Sequence, residues 1–313
     1  MDKIERNKVT RDQIDRFFAS YFPNWRLQQI LTVEKILDNK FSFYAGIIED
    51  TKQYDDSNGE ATIAQEVTNG LLFEAISVCI QSIEDLFALL SAGENRDYFI
   101  KNIITYSAGR IENFIKQERS DVKLCALFWV PYFKGTLSNP DMDQIYRDGI
   151  QLLVEMTQRL RAFYGQYHFF YTQYKHGLTV ALRPFKKYSY EQIVDSKMGE
   201  MDPYLAAFDN LSLIKLESKQ DRQTEMAFMP CFTNNIIPHL NELMQEDNLI
   251  RYTFPPIKTN INDLKNISYM VRDCIDIFRN NILQTVYDTP PYKMRIPSRD
   301  RGKVFQFEMA ELS

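Results

Sequence analysis

The sequence predicts a mainly α-helical protein, a multi-helix bundle with long central helices and a minor β component in its C-terminal half. The first observation is a helical pattern over 60–90, in which apolar residues cover most of the circumference. The second is an unbroken helical pattern from Pro140 to Gly177. The third is a change to alternating apolar and polar residues beyond Gly177, as in short strands. These observations divide the chain into an all-helical region, 1–177, and a mixed α/β region, 178–313, expected to pack on it.

Two helices are predicted ahead of the first long one. Thr10 opens the sequence TRDQ, a capping box with Gln13 at the third helical position. A helix is therefore expected to begin at Thr10 and to end at Pro23. A second helix is expected over 25–38.

A narrow polar stripe interrupts the apolar surface of the helix over 60–90. Its members are Glu74, Ser77, Gln81, Glu84 and Asp85. Spacings of three and four residues place them on one helix face. We expect Glu84 and Asp85 to form a hydrated seam or a buried ion pair, and the alternative is pairing with Arg161 or a histidine.

Helical signals continue through the middle of the chain. One helix is expected over 97–118 and a shorter one over 122–133. The sequence Ser138-Asn139-Pro140-Asp141 then has the features of a helix start: a cap, a proline at the first position and an acid in the first turn. The helix that begins there would be about 55 Å long, because an α-helix rises about 1.5 Å per residue.

The region after Gly177 is predicted to mix strands with helices. Short strands are expected over 178–185, 211–218 and 303–309. Helices are expected over 190–208, 227–245 and 261–287.

Composition favours a soluble protein of the cytoplasm. The net charge of −5 and a pI near 5.4 argue against a generally basic nucleic-acid-binding surface. The first residues alternate in charge and lack the apolar core of a signal peptide, and the apolar stretches are too short to predict a membrane span. The four cysteines are scattered and without a CxxC pair, which is typical of reduced thiols in a core.

Several common catalytic and binding motifs are absent from the sequence. There is no GxGxxG, GxxxxGK[ST], GxSxG or HExxH. None of the three histidines follows a glutamate by three residues, which excludes the paired ExxH motifs of di-metal helical bundles. We therefore predict no cofactor and no metal site. A serine-histidine-acid triad is left open, since its members assemble across a fold.

One short stretch contains several residues that could take part in catalysis or binding. The sequence QYHFFYTQYKHG, residues 166–177, contains two of the three histidines among five aromatic rings. On a helix, Arg161, His168 and His176 recur along one face. The structural interpretation is that Lys175, His176 and Gly177 are an ordinary helix end, with cations at the negative pole and a glycine beyond it.

The catalytic interpretation of this stretch comes from a family resemblance. A helical bundle whose long helix carries an arginine, four to six further residues and then a histidine resembles the HEPN superfamily. Here Arg161 and His168 are separated by AFYGQY, and the ending YKHG is similar to endings in bacterial helical proteins of that kind. The resemblance covers about residues 60–180. Ala162 stands where the family usually has a polar residue.

The resemblance implies a metal-independent endoribonuclease or a toxin or antiphage effector. Histidine would serve as acid or base, and Arg161 would hold the phosphate. His168 and His176 are the candidate catalytic histidines. RNA would be the substrate, a neutralising protein the expected partner, and a homodimer the expected catalytic form.

Other cations are candidate contacts to a phosphate backbone. They are Lys175 and the basic residues of the C-terminal sequence PYKMRIPSRDRGK, chiefly Arg295, Arg299 and Arg301. The structural alternative for that sequence is a solvated, poorly ordered tail. The functional alternative for the whole chain is a non-catalytic helical module that binds a partner protein or a small ligand through aromatic grooves.

Overall fold

A computed structural model describes residues 3–22, 24–52, 60–132, 139–175, 212–218, 227–231, 249–253, 260–284, 293–298 and 304–308. The helices are α1 (Lys3–Ser20), α2 (Trp25–Asp38), α3 (Lys40–Lys52), α4 (Glu60–Gly93), α5 (Phe99–Ile104), α6 (Ala108–Lys116), α7 (Asp121–Leu127), α8 (Pro140–Lys175) and α9 (Ile261–Gln284). A 3-10 turn, Arg96–Tyr98, precedes α5. The strands are β1 (Ser212–Ser218), β2 (Ala227–Cys231), β3 (Leu249–Thr253), β4 (Lys293–Pro297) and β5 (Val304–Glu308).

The described residues confirm a mainly helical fold with long helices and a minor β component. The predicted bounds of α2 agree with the structure, and α4 extends three residues beyond its predicted end at residue 90. The predicted start of α9 at Ile261 also agrees, and its predicted end at residue 287 lies outside the described residues. The start of α8 is as predicted, because the Asn139 side-chain oxygen accepts hydrogen bonds from the backbone N–H groups of Asp141 (3.0 Å) and Met142 (3.3 Å). The strands β1 and β5 also fall within predicted strands, whereas the predictions over 178–185 and 190–208 lie outside the described residues.

Four predicted elements differ from the structure. The helix predicted over 122–133 ends at Leu127, and the other three are as follows. Thr10 does not cap a helix start, since α1 already runs from Lys3 through good helix formers. The helix predicted over 97–118 is broken at 105–107, where the extended Ser107 is the residue ahead of α6. The start of the helix predicted over 227–245 is the strand β2, because pairing with β1 overrides the local helical pattern.

The chain forms two compact units, each assembled from separate segments. Unit 1 comprises Met1–Ile30, Val78–Tyr167 and Lys265–Ser313, and unit 2 comprises Leu31–Ser77 and His168–Leu264. The predicted division at residue 177 stays a prediction. Within unit 1, α9 packs with α1 and α5, which are distant from it in sequence.

The core of unit 1 joins helices that are distant in sequence. The rings of Phe18 in α1, Phe99 in α5 and Phe278 in α9 lie 6.0–6.3 Å apart by their centroids. Phe278 also lies against Gly93, where an added Cβ would be only 2.6 Å from the ring, so only glycine fits at this close approach. These contacts explain why α9 belongs to the same core as α1.

Unit 2 contains the N-terminal part of α4 and the larger sheet. The hydroxyl of the buried Tyr44 in α3 lies 2.9 Å from the Thr68 hydroxyl in α4. The sheet has the order β2-β1-β3 with both pairings antiparallel, and Ile214 lies opposite Met229 and Thr253. Pro230 is in β2, a position at the sheet edge that tolerates the missing N–H.

One stretch of the described residues, Gly70–Gly93 in α4, is long and apolar enough to cross a membrane by length and composition. Most of it is buried within the protein. The central helix of a helical bundle has these same properties.

Candidate ligand-binding groove

Arg161 acts as a cap for a neighbouring helix. It lies in α8, and its Nε donates to the carbonyl of Ile115 at 2.7 Å while its Nη2 donates to that of Lys116 at 3.1 Å. These carbonyls belong to the last turn of α6, where backbone oxygens lack helical partners. The structure therefore gives Arg161 a structural role that the sequence pattern did not reveal.

Of the two candidate catalytic histidines, the structure describes His168. His168 lies in α8, half-buried, with its ring centroid 6.2 Å from that of Tyr171. Its backbone carbonyl accepts a hydrogen bond from the Thr172 hydroxyl at 3.0 Å. Lys175 is the last residue of α8, and His176 lies outside the described residues.

The described part of the basic C-terminal sequence contains the strand β4. Arg295 is half-buried in β4, and its backbone N–H donates to the side-chain oxygen of Asn281 at 2.8 Å. β4 pairs with β5 in an antiparallel ladder. Arg299 and Arg301 lie outside the described residues.

The polar stripe of α4 contributes to a half-buried ion pair. Asp85 accepts from Arg26 Nε at 3.2 Å, and the same guanidinium contacts Gln81. Glu84 instead accepts a hydrogen bond from the Tyr164 hydroxyl at 3.2 Å. Arg26 is thus a partner of Asp85, and Tyr164 is a partner of Glu84.

The crevice beside Asp85 is too small for a ligand. Tyr21, Arg26, Asp85 and Arg272 are among its lining residues, and its volume is about 10 Å³, the space of one water molecule. Burial raises the pKa of Asp85, and Arg26 lowers it by a smaller amount. Burial, assisted by Asp85, also raises the pKa of Tyr21. These groups form a structural ion pair.

The cysteines with described side chains are core residues. Cys79, Cys125 and Cys274 are buried and unpaired in disulfides. Burial raises the pKa of Cys79 and of Cys125 to about 12, which keeps both thiols protonated and unreactive at neutral pH. No group of three or more His, Cys, Asp or Glu side chains in the described part of the chain is placed to hold a metal ion.

A concave site among the described residues is a groove of about 790 Å³ in unit 1. We call it the Trp129 groove. It is lined by Gly93, Glu94, Gln117, Glu118, Arg119, Val122, Lys123, Ala126, Leu127, Trp129, Val130, Pro131 and Tyr132. Its volume is within the range of small-molecule and peptide sites, and its lining combines apolar surface with charges of both signs.

Trp129 has an unusual backbone conformation at the end of α7. The Trp129 N–H donates to the Ala126 carbonyl and the Val130 N–H to the Cys125 carbonyl, each at 3.0 Å. These two bonds are the Schellman motif that closes a helix, and its left-handed position normally holds glycine. Here Trp129 occupies it with φ of 58°, the single positive φ of a non-glycine residue in the described part of the chain. A left-handed residue with a Cβ costs about 1–2 kcal/mol.

The segment around Trp129 is fixed from two further sides. The side-chain amide of Asn281, a buried residue of α9, donates to the Phe128 carbonyl at 3.1 Å and to the Arg295 carbonyl at 3.0 Å. The Tyr146 hydroxyl in α8 donates to the Pro131 carbonyl at 2.6 Å. Side chains of α8 and α9 therefore both hold this segment, which favours a wall that is ordered before a ligand binds.

Two arginines flank the groove, and the guanidinium group of each already contacts other groups of the protein. The Arg96 guanidinium lies 5.0 Å from the centroid of the Trp129 ring, in cation–π contact. Arg119 stacks at 3.9 Å over Phe114 and donates to the carbonyls of Phe114 and Gln117. Burial lowers the pKa of Arg119, nearby Glu94 raises it and Arg161 lowers it.

Sequence reasoning missed the Trp129 groove. The one available signal was Pro131, since proline commonly follows shortly after a helix end. It indicates where α7 stops, but it does not indicate that a tryptophan takes the left-handed position.

Comparison of the chain with protein-family models, with curated proteins and with solved structures found no match.

Proposed function

We propose that this protein is a non-catalytic helical module that binds a partner through the Trp129 groove. The observation that carries the proposal is the strained conformation of Trp129 on the groove wall. A glycine at this position would close α7 at a lower cost, so the tryptophan side chain is kept there for something other than folding. Strained residues of this kind cluster at ligand-binding sites.

The residue types of the groove favour a protein partner. Tryptophan, tyrosine and arginine are the residues that contribute most to binding energy at protein interfaces, and Trp129, Tyr132 and Arg119 all line the groove. Tyr132 and Val122 are exposed, by 39% and 46%, which leaves apolar surface for a partner to cover. The rigid Phe128–Tyr132 segment reduces the entropy lost on binding.

A peptide selection tests this proposal. A random-peptide phage library is selected on the purified protein, and the enriched peptides are synthesised and their Kd measured by fluorescence anisotropy. We expect Trp129→Gly to lose most of the affinity while keeping the helix end intact. Trp25→Ala, which changes the other and exposed tryptophan, is the control and should bind as the wild type does. Equal binding by Trp129→Gly would contradict the proposal.

The ribonuclease activity implied by the HEPN resemblance is the second candidate. The observation that favours it is the convergence of Arg119 and Arg161 at the C-terminal end of α6, which places two guanidinium groups near each other. An arginine pair is suited to a phosphate, although both side chains already donate hydrogen bonds to backbone carbonyls. In this proposal His168 is the acid or base, His176 and Lys175 assist, and Arg295, Arg299 and Arg301 contact the RNA.

Cleavage of single-stranded and structured RNA in the presence of EDTA separates the two candidates. A ribonuclease of this kind cleaves RNA without metal, loses cleavage in His168→Ala and forms a homodimer in light scattering. Absence of cleavage, or undiminished cleavage by His168→Ala, would contradict the catalytic assignment. The binding proposal predicts no cleavage and is unaffected by a monomeric state.

A further inference from the structure

A second groove adjoins the Trp129 groove in unit 1. Its volume is about 360 Å³, and we call it the Tyr146 groove. It is lined by Asp121, Tyr132, Tyr146, Arg147, Ile150, Gln151, Val154 and Glu155. Tyr132 belongs to both grooves, so the two depressions adjoin at this exposed ring.

The charged residues of the Tyr146 groove differ in whether another charged side chain already pairs with them. The Arg147 guanidinium is already paired with Asp143, with 2.7 Å between Nε and the carboxylate oxygen. Asp121 and Glu155 are exposed, and neither has an ion-pair partner in the described part of the chain. Glu155 accepts one hydrogen bond, from Gln151 at 2.8 Å. The groove therefore presents negative charge.

The Trp129 groove also presents exposed carboxylates. The Arg119 guanidinium is engaged with two carbonyls and a phenyl ring, whereas Glu94 and Glu118 are exposed on the lining. Lys123 is the exposed cation of that lining. Taken together, an apolar and aromatic surface adjoins exposed carboxylates in both depressions.

We propose that the two grooves form one docking surface for a peptide segment of a partner protein, with an apolar anchor against Trp129 and a lysine or arginine between Asp121 and Glu155. This inference rests on the proposed function of the Trp129 groove and adds the chemistry of the partner. A segment lying across Tyr132 would place its anchor on one side of the ring and its cation on the other. Charge complementarity favours a lysine or arginine of the partner beside Asp121 and Glu155, since a partner carboxylate there would be repelled by these two acids.

The test uses the selected peptides described above. We expect them to combine an apolar residue with a lysine or arginine, and replacement of that cation by glutamate should weaken binding. For Glu155→Lys, binding of the cationic peptide should fall on the order of tenfold, because an exposed attraction of up to about 1 kcal/mol becomes a repulsion. The same variant should bind the glutamate peptide better than the wild type does. Asp148→Asn, a half-buried acid of α8 that lines neither groove, is the control and should leave peptide binding unchanged.

The outcomes separate this inference from the function on which it rests. Peptides that depend on Trp129 but lack a basic residue, or that bind wild type and Glu155→Lys equally, would overturn the inference and leave the proposed function standing. Peptides that bind Trp129→Gly as well as the wild type would overturn both. Failure to enrich any peptide, or saturable binding of RNA alone at this surface, would also contradict both.

Discussion

The C-terminal ends of α6 and α7 satisfy their unpaired backbone carbonyls in different ways. At the end of α6, Arg119 and Arg161 donate to the carbonyls of Phe114, Ile115 and Lys116. These side chains bring positive charge to the negative pole of the helix and satisfy oxygens that the helix leaves unpaired. At the end of α7, the backbone closes the helix by itself and Trp129 accepts a left-handed conformation.

The two ends differ in what the large side chain contributes to folding. Arg161 satisfies two carbonyls at the end of α6 and thereby stabilises the fold. Trp129 costs backbone energy at its own position, and folding alone does not account for that choice of residue. The comparison teaches that a chemically suggestive residue can have a structural role, and that a residue in a strained conformation can be a functional candidate without any sign in the sequence pattern.

The largest effect is expected for Asn281, which supports the α7 end from α9. Asn281→Ala removes three hydrogen bonds to the backbone of Phe128 and Arg295 and leaves buried partners unsatisfied. We expect the free energy of unfolding to fall by about 2–4 kcal/mol, measured by urea denaturation. Asn280→Ala is the matched control: its half-buried amide donates a single bond to the Asp276 carbonyl, and the loss should be about 1 kcal/mol or less. Equal losses in the two variants would contradict the role given to Asn281.

A smaller effect is expected at the α6 end. Arg161→Ala removes two charge-assisted hydrogen bonds to backbone carbonyls and should lower the free energy of unfolding by about 1.5–3 kcal/mol. Arg159→Ala, an exposed arginine on the same helix, should be nearly neutral by the same urea measurement. A stability of Arg161→Ala equal to that of the wild type would show that the helix end does not depend on this residue.

The ion pair between Arg26 of α2 and Asp85 of α4 predicts that the free energy of unfolding depends on pH. Burial raises the pKa of Asp85 in the folded protein, so the folded state binds a proton more readily than the unfolded state. Stability linked to Asp85 is therefore complete below its unfolded pKa and is lost as pH rises through the folded pKa. Relative to Asp85→Asn, the wild type should gain stability in urea denaturation as the pH is lowered from about 7 to about 4. A relative loss of stability on acidification would show that Arg26 outweighs burial.

The sequence predicted those parts of the fold that depend on local pattern. The bounds of α2, the Asn139 cap of α8 and the apolar surface of α4 follow from spacing and capping residues along one segment. The break at 105–107 and the strand β2 were not predicted, because a helical pattern continues through both and only pairing or local backbone geometry decides the outcome.

The candidate site depends on contacts that no single segment reveals. Arg161 meets α6 from α8, and Asn281 reaches Phe128 from α9. The left-handed conformation of Trp129 is likewise invisible in the letters ALFWVPY, where glycine would have been the recognisable signal. Residue types alone therefore directed attention to Arg161 and His168 and away from Trp129.

The most direct test of the account compares Trp129→Gly with Trp129→Ala. Both variants remove the indole, but only glycine relieves the left-handed backbone, so the glycine variant should be about 1 kcal/mol more stable than the alanine variant in urea denaturation. Both should lose binding of the selected peptides. That combination is predicted if Trp129 is retained for binding at the expense of stability. Equal stability of the two variants, or peptide binding by either at the wild-type Kd, would contradict it.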